Sequence, residues 1–97
     1  MNSDKIEIEN VNHPGRTRLV DAHRYEAMKR AFLSILPGSS PGLTAAEVRE
    51  RVLVHLPEEL FPGGARAGWW TKAVQLDLEA KGFVVRENTR PLRLRKG

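Results

Sequence analysis

Three groups of residues in this 97-residue chain have types and spacings suited to meeting a polyanion. The loop Gly63-Gly-Ala-Arg-Ala-Gly68 leads into a segment carrying Trp69, Trp70, Thr71, Lys72, Gln75 and Glu79. The free amides and positive dipole end of a helix N-terminus attract anions, and Arg66 and Lys72 would reinforce such a site. It is not a nucleotide-binding P-loop, because Trp69-Trp70 stands where that motif has Lys-Ser/Thr. At about 100° per residue, Thr71, Lys72, Gln75 and Glu79 fall on one polar stripe. In a DNA major groove Gln reads adenine and Lys meets guanine or phosphate, although any solvated helix carries such a stripe. Arg86, Arg90, Arg93, Arg95 and Lys96 form a third group, suited either to phosphate contacts or to a charged edge that blocks aggregation. Phe61 and Trp70 are the aromatic candidates for holding a protein partner or a second copy of the chain.

Catalysis finds little support. His13 lies in a turn, His23 in the first turn of a helix and His55 near a helix end, with no carboxylate at triad or ligand spacing. Glu58 and Glu59 are adjacent and so point apart. The chain has no cysteine, which removes disulfides, thiolate metal sites and thiol nucleophiles. The expectation is a non-enzyme with no metal and no cofactor. The charged start Met1-Asn-Ser-Asp-Lys-Ile-Glu-Ile-Glu9 lacks the apolar run of a signal peptide, and no stretch reaches the roughly 18 apolar residues of a membrane span. A cytoplasmic protein without membrane contact is expected. The net charge of +4 is uneven: residues 61–97 hold eight Lys and Arg against three acids, and residues 1–60 hold eight against nine. A domain meeting a polyanion with its C-terminal part has this asymmetry, as does one with a solvated basic tail.

The elements that must position these residues follow from period and punctuation. Lys5-Ile-Glu-Ile-Glu9 alternates like a half-buried strand, Asn12-His-Pro-Gly15 is a turn by composition, and Arg16–Val20 is a second strand. The two strands either pair or leave the first as an arm. Asp21 suits the N-cap of a first helix whose apolar stripe is Tyr25, Met28, Phe32, Ile35 and Leu36, ended by Pro37-Gly38. Thr44 and Glu47 form a capping box and Leu43 and Val48 a hydrophobic staple, so a second helix runs from about 45 to 56. The third helix is expected from about Trp69 to Lys81, with Gly68 near its N-cap and Gly82 at C′. Its core side would be Trp69, Ala73, Leu76 and Ala80, with Trp70 only partly buried. Asp77 falls on that apolar arc, which predicts an arginine partner, Arg90 or Arg93, or a place at the open edge of the core. Phe83–Glu87 and Leu92–Arg95 read as a closing hairpin with Phe83, Val85, Leu92 and Leu94 inward and Arg86, Arg93 and Arg95 outward.

The predicted fold is α+β: a single domain over 1–97, with an N-terminal strand or arm in 1–20 and a three-helix core with a C-terminal β-hairpin in 21–96. Three helices followed by a basic hairpin resemble a winged helix-turn-helix domain over roughly residues 22–96. The interval Pro57–Gly68 is much longer than the usual turn of 3 to 4 residues. A second resemblance rests on wording: His13-Pro-Gly-Arg-Thr17, Val20-Asp-Ala22, Tyr25-Glu-Ala-Met28, Leu60-Phe-Pro-Gly-Gly64, and Gly68-Trp-Trp70 through Val74-Gln-Leu-Asp-Leu-Glu-Ala-Lys-Gly82 are similar to recurring blocks of a family of small bacterial proteins of uncharacterised function. The winged-helix resemblance implies a small double-stranded DNA-binding protein, such as a transcriptional regulator. Its contacts would come from Arg66, Thr71, Lys72, Gln75, Arg86, Arg90, Arg93 and Arg95. The alternative is a non-catalytic protein-interaction module of the same fold, using Phe61 and Trp70.

Overall fold

Alternation along the first strand and a glycine in the turn decide how the chain begins. In the computed structural model, which describes residues 4–97, β1 (Lys5–Glu9) pairs antiparallel with β2 (Thr17–Asp21) as a hairpin. Residues 1–3, at the head of the predicted arm and of the charged start, lie outside the described residues. The turn is stitched by Asn10, whose side chain accepts from the Asn12 amide at 2.8 Å, and Gly15 takes a φ of 88°. The register sets Ile6 opposite Val20 and Ile8 opposite Arg18, so Ile8 and Val20 enter the core.

α1 (Ala22–Ile35) starts at Asp21, whose carboxylate accepts from the Arg24 amide at 2.8 Å. Tyr25, Met28, Ala31 and Phe32 make its buried stripe. After the Pro37–Pro41 linker, β3 (Leu43–Thr44) leads directly into α2 (Ala45–Val52), and the Thr44–Glu47 capping box is present in both directions. The α-helix stops at Val52 and Leu53–His55 tightens to a 3-10 turn, so the second helix is shorter than predicted.

α3 (Ala67–Ala80) begins two residues ahead of Trp69, and within it the tryptophans exchange their expected roles. Trp70 is 6% exposed and packs edge-on to buried Phe61 at 6.3 Å, whereas Trp69 is 37% exposed. The buried residues of α3 are Ala67, Trp70, Thr71, Val74, Gln75, Leu76, Asp77 and Leu78, so of the predicted core side only Leu76 is buried, while Ala73 is half-buried and Trp69 and Ala80 are exposed. Both lines obey the helical period; the chain enters α3 through a left-handed residue, Arg66 (φ 62°), and the helix packs on α1, α2 and β1.

A Schellman ending closes α3: the Phe83 amide bonds to the Leu78 carbonyl at 2.9 Å and Gly82 to Glu79 at 3.2 Å, with Gly82 at φ 83°. That turn uses Phe83 and shifts the following alternation by one, so Val84 is buried and Phe83 is half exposed, the reverse of the prediction. β4 (Val84–Glu87) and β5 (Arg93–Lys96) form the C-terminal hairpin, and β3 joins it to give a three-stranded antiparallel sheet in the order β3-β5-β4. Gly42 allows this pairing, since a Cβ there would lie 2.2 Å from the Leu94 carbonyl oxygen. The result is an α+β domain with three helices and two small antiparallel sheets, its core drawn from all of them. Among the described residues no helix is long and apolar enough to cross a membrane.

Candidate functional site: a cationic groove beside Trp69

Only part of the predicted stripe on α3 faces solvent: Lys72 is exposed and Glu79 half-buried. Thr71 is buried, donating its hydroxyl to the Ala67 carbonyl at 2.6 Å, and Gln75 is buried, donating to Glu79 at 2.8 Å. Bonds within the helix satisfy both polar groups, which is why they tolerate burial that their composition argued against. Neither can touch a base. Phe61 is also buried, so it offers nothing to a partner, and Trp70 is a core residue instead of a surface anchor.

The C-terminal arginines are mostly occupied. Arg86 makes two bonds to Glu79, at 2.9 and 3.1 Å. Arg93 donates to the Gly42 carbonyl at 2.9 Å and lies 3.7 Å from Glu47, and Arg95 lies 3.3 Å from Glu87. These three brace the β3-β5-β4 sheet against α2, α3 and the linker. Glu87 also accepts from the Ser40 hydroxyl and from the Gly42 amide at 2.9 Å. Those bonds, the Ser40 one foremost, hold its carboxyl below the usual glutamate range. Glu47 is lowered likewise, chiefly by the Thr44 amide that it caps. Arg90 alone of this group is exposed in the β4–β5 turn without an ion pair among the described residues.

Asp77 finds different partners from those predicted. Fully buried, it accepts from the Tyr25 hydroxyl at 2.5 Å and from the Glu9 amide at 2.8 Å, and Lys81 approaches to 2.8 Å. The partner is a lysine one helical turn away, since Arg93 is engaged by Gly42 and Glu47 and Arg90 lies exposed in the β4–β5 turn. Burial first, then the Asp77 hydrogen bond and charge, push the Tyr25 hydroxyl well above its usual pKa, so it remains a donor. Together with the Val11 amide bonding to the Leu76 carbonyl at 3.2 Å, Asp77 pins the β1–β2 hairpin along α3.

That docking creates a groove between the hairpin and α3. It has a volume of about 320 Å³, within the range of small-ligand sites, and an apolar floor of Ile8, Ala73 and Leu76. Trp69 forms one wall, and Arg16, Arg18 and Lys72 stand at the rim with His13 and one carboxylate, Glu9. The Arg18 guanidinium lies 5.0 Å from the Trp69 ring centre and that of Arg66 5.8 Å. Among the described residues, none of Arg16, Arg18, Arg66 and Lys72 has an ion-pair partner. Of the residues predicted to contact DNA, only Lys72 lines this groove, and Arg66 meets it from outside, over the Trp69 ring. Arg16, Arg18 and Trp69 were missed, yet one signal was available: in a strand Arg18 shares its face with buried Val20, and an arginine on a core-facing side must cover an open edge.

The match to known sequences spans almost the whole chain, with residues 5–94 aligning to a family of unknown function (DUF6958). The chain belongs to this family. The matched span takes in both walls of the groove, the β1–β2 hairpin and α3. No curated relative and no solved structure matches the chain.

Proposed function

We propose that this is a small DNA-binding protein of winged-helix type, acting in the bacterial cytoplasm as a regulator. It meets the phosphate backbone through the N-terminal half of α3 and the β1–β2 hairpin. The observation that carries this reading is the split among the cations. Arg86, Arg93 and Arg95 are engaged by carboxylates, whereas Arg16, Arg18, Arg66 and Lys72 gather unpaired around Trp69. Desolvating a cation already held by a carboxylate gains little from a phosphate, and an unpaired one gains the full counterion release. The succession α1, β3, α2, α3, β4, β5, with sheet order β3-β5-β4, supports the winged-helix part of the reading.

Fluorescence anisotropy with a labelled duplex at about 50 mM salt tests it. Arg18→Glu and Lys72→Glu should each weaken binding and lower the salt slope by about one, while Arg93→Glu should leave binding unchanged in the fraction that stays folded. No binding to any duplex, or binding indifferent to both groove variants, overturns the proposal.

One observation favours a second reading, a protein-interaction module. Val54 is 84% exposed beside half-exposed Leu53 on the 3-10 turn after α2, an apolar pair on an otherwise charged surface. Sedimentation velocity across a concentration series tests it: association that Val54→Glu abolishes would support this reading.

A further inference from the structure

We propose that the groove beside Trp69 receives one unpaired nucleotide, its base against the indole and the apolar floor and its phosphate among the rim cations. This rests on the nucleic-acid reading of the same face but goes beyond it, since backbone contact to a duplex requires cations and needs neither a cavity nor an exposed indole.

The groove has both. A phosphate-only surface has no use for a floor of Ile8, Ala73 and Leu76, and a purely apolar pocket would not surround itself with unpaired guanidinium groups. Together they match the two halves of a nucleotide. Trp69 keeps more than a third of its surface open although the helix offers Trp70 as the core tryptophan, so the fold does not require a second indole at this position. Arg18 and Arg66 lie over the indole, 5.0 and 5.8 Å from its ring centre, and can turn toward a phosphate when a base takes their place on the ring. Stacking of this kind is tolerant of base identity, because every base has a π-face. Geometry also favours an extruded or single-stranded base. The groove lies between the hairpin and the helix, with Trp69 along its wall, and a base can stack on an indole only after leaving its own stack.

The same chemistry has two sources, a free nucleotide and a nucleotide within a strand. Binding is therefore measured for three probes at about 50 mM salt: a thymidine oligonucleotide, a blunt duplex, and a nucleoside monophosphate. The single strand should bind at least about tenfold tighter than the duplex, and Trp69→Ala should cost about tenfold or more on the strand and much less on the duplex, whose phosphates need the cations and not the indole. Trp69→Phe should retain most of the strand affinity. Buried Trp70, the only tryptophan left in Trp69→Ala, reports through its emission that this variant is folded. Monophosphate binding equal to that of the strand would identify a free nucleotide as the ligand. Equal affinity for strand and duplex, with no effect of Trp69→Ala, overturns the inference and leaves backbone binding standing. No binding to any of the three overturns both.

Discussion

The hydroxyl of Tyr25 and the carboxylate of Asp77 meet at 2.5 Å in the interior, 52 residues apart in sequence, and through them α1, α3 and the β1–β2 hairpin share one polar contact. Asp77 is fully buried, so removing its partners leaves a charge and removing Asp77 leaves orphaned donors. Asp77→Ala should destabilise the domain by about 3 kcal/mol, the low end for a broken buried pair because Lys81 keeps access to water. Tyr25→Phe should cost about 1–3 kcal/mol. Urea denaturation gives both values. Hydrogen exchange at the Glu9 amide should accelerate in Asp77→Ala more than exchange in the centre of α1, since that amide donates directly to the lost carboxylate.

The two tryptophans should separate in any assay of stability. Trp70→Ala removes a buried indole packed on Phe61 and should cost about 3–5 kcal/mol. Trp69→Ala should change stability by about 1 kcal/mol or less, mostly through its cation–π contacts. Acrylamide should quench the Trp69 emission of a Trp70→Phe variant far more than the Trp70 emission of Trp69→Phe.

Which of these two faces inward was not legible in the sequence, for a specific reason. Two lines on α3 carry apolar residues at helical spacing, and choosing between them requires knowing what lies on each side. Local signals were legible: the Asp21 cap, the Thr44–Glu47 capping box, the Gly82 turn and the arginine-rich hairpin all stand where composition placed them. The misread parts depend on partners distant in the chain. Gln75 reads as a surface residue until Glu79 and Arg86 close over it, and Asp77 reads as an error until the hairpin and Tyr25 arrive. Likewise Arg16 and Arg18, counted with the neutral N-terminal half, acquire meaning only when the hairpin brings them beside Lys72.

Two glycines should respond oppositely to alanine. At Gly42 a new Cβ would sit 2.2 Å from the Leu94 carbonyl oxygen, forcing β3 away from β5 at a cost of about 1–3 kcal/mol. Gly68 lies within α3 with open space around its Cα, so Gly68→Ala should stabilise by about 0.5–1 kcal/mol. Thermal melts of the two variants check the contrast.

Acid should loosen the C-terminal sheet first. The folded-state pKa values of Glu87 and Glu47 lie below the ordinary glutamate range, so their contribution is full above about pH 4.3 and disappears as pH falls through the depressed values. Glu87→Gln should lower stability at neutral pH and flatten the decline below about pH 4. Urea midpoints measured from neutral pH down to about 3 would reveal both changes.

The hydrogen bond from the Glu9 amide to Asp77 spans 68 residues of sequence, and this separation orders events during synthesis. The hairpin leaves the ribosome well ahead of α3, at a pace of about 5–20 residues per second. Until Asp77 emerges, Ile8 and Val20 lack the cover of that helix. The alternating glutamates of β1, with Lys5 beside them, are well placed to keep the hairpin soluble while it waits.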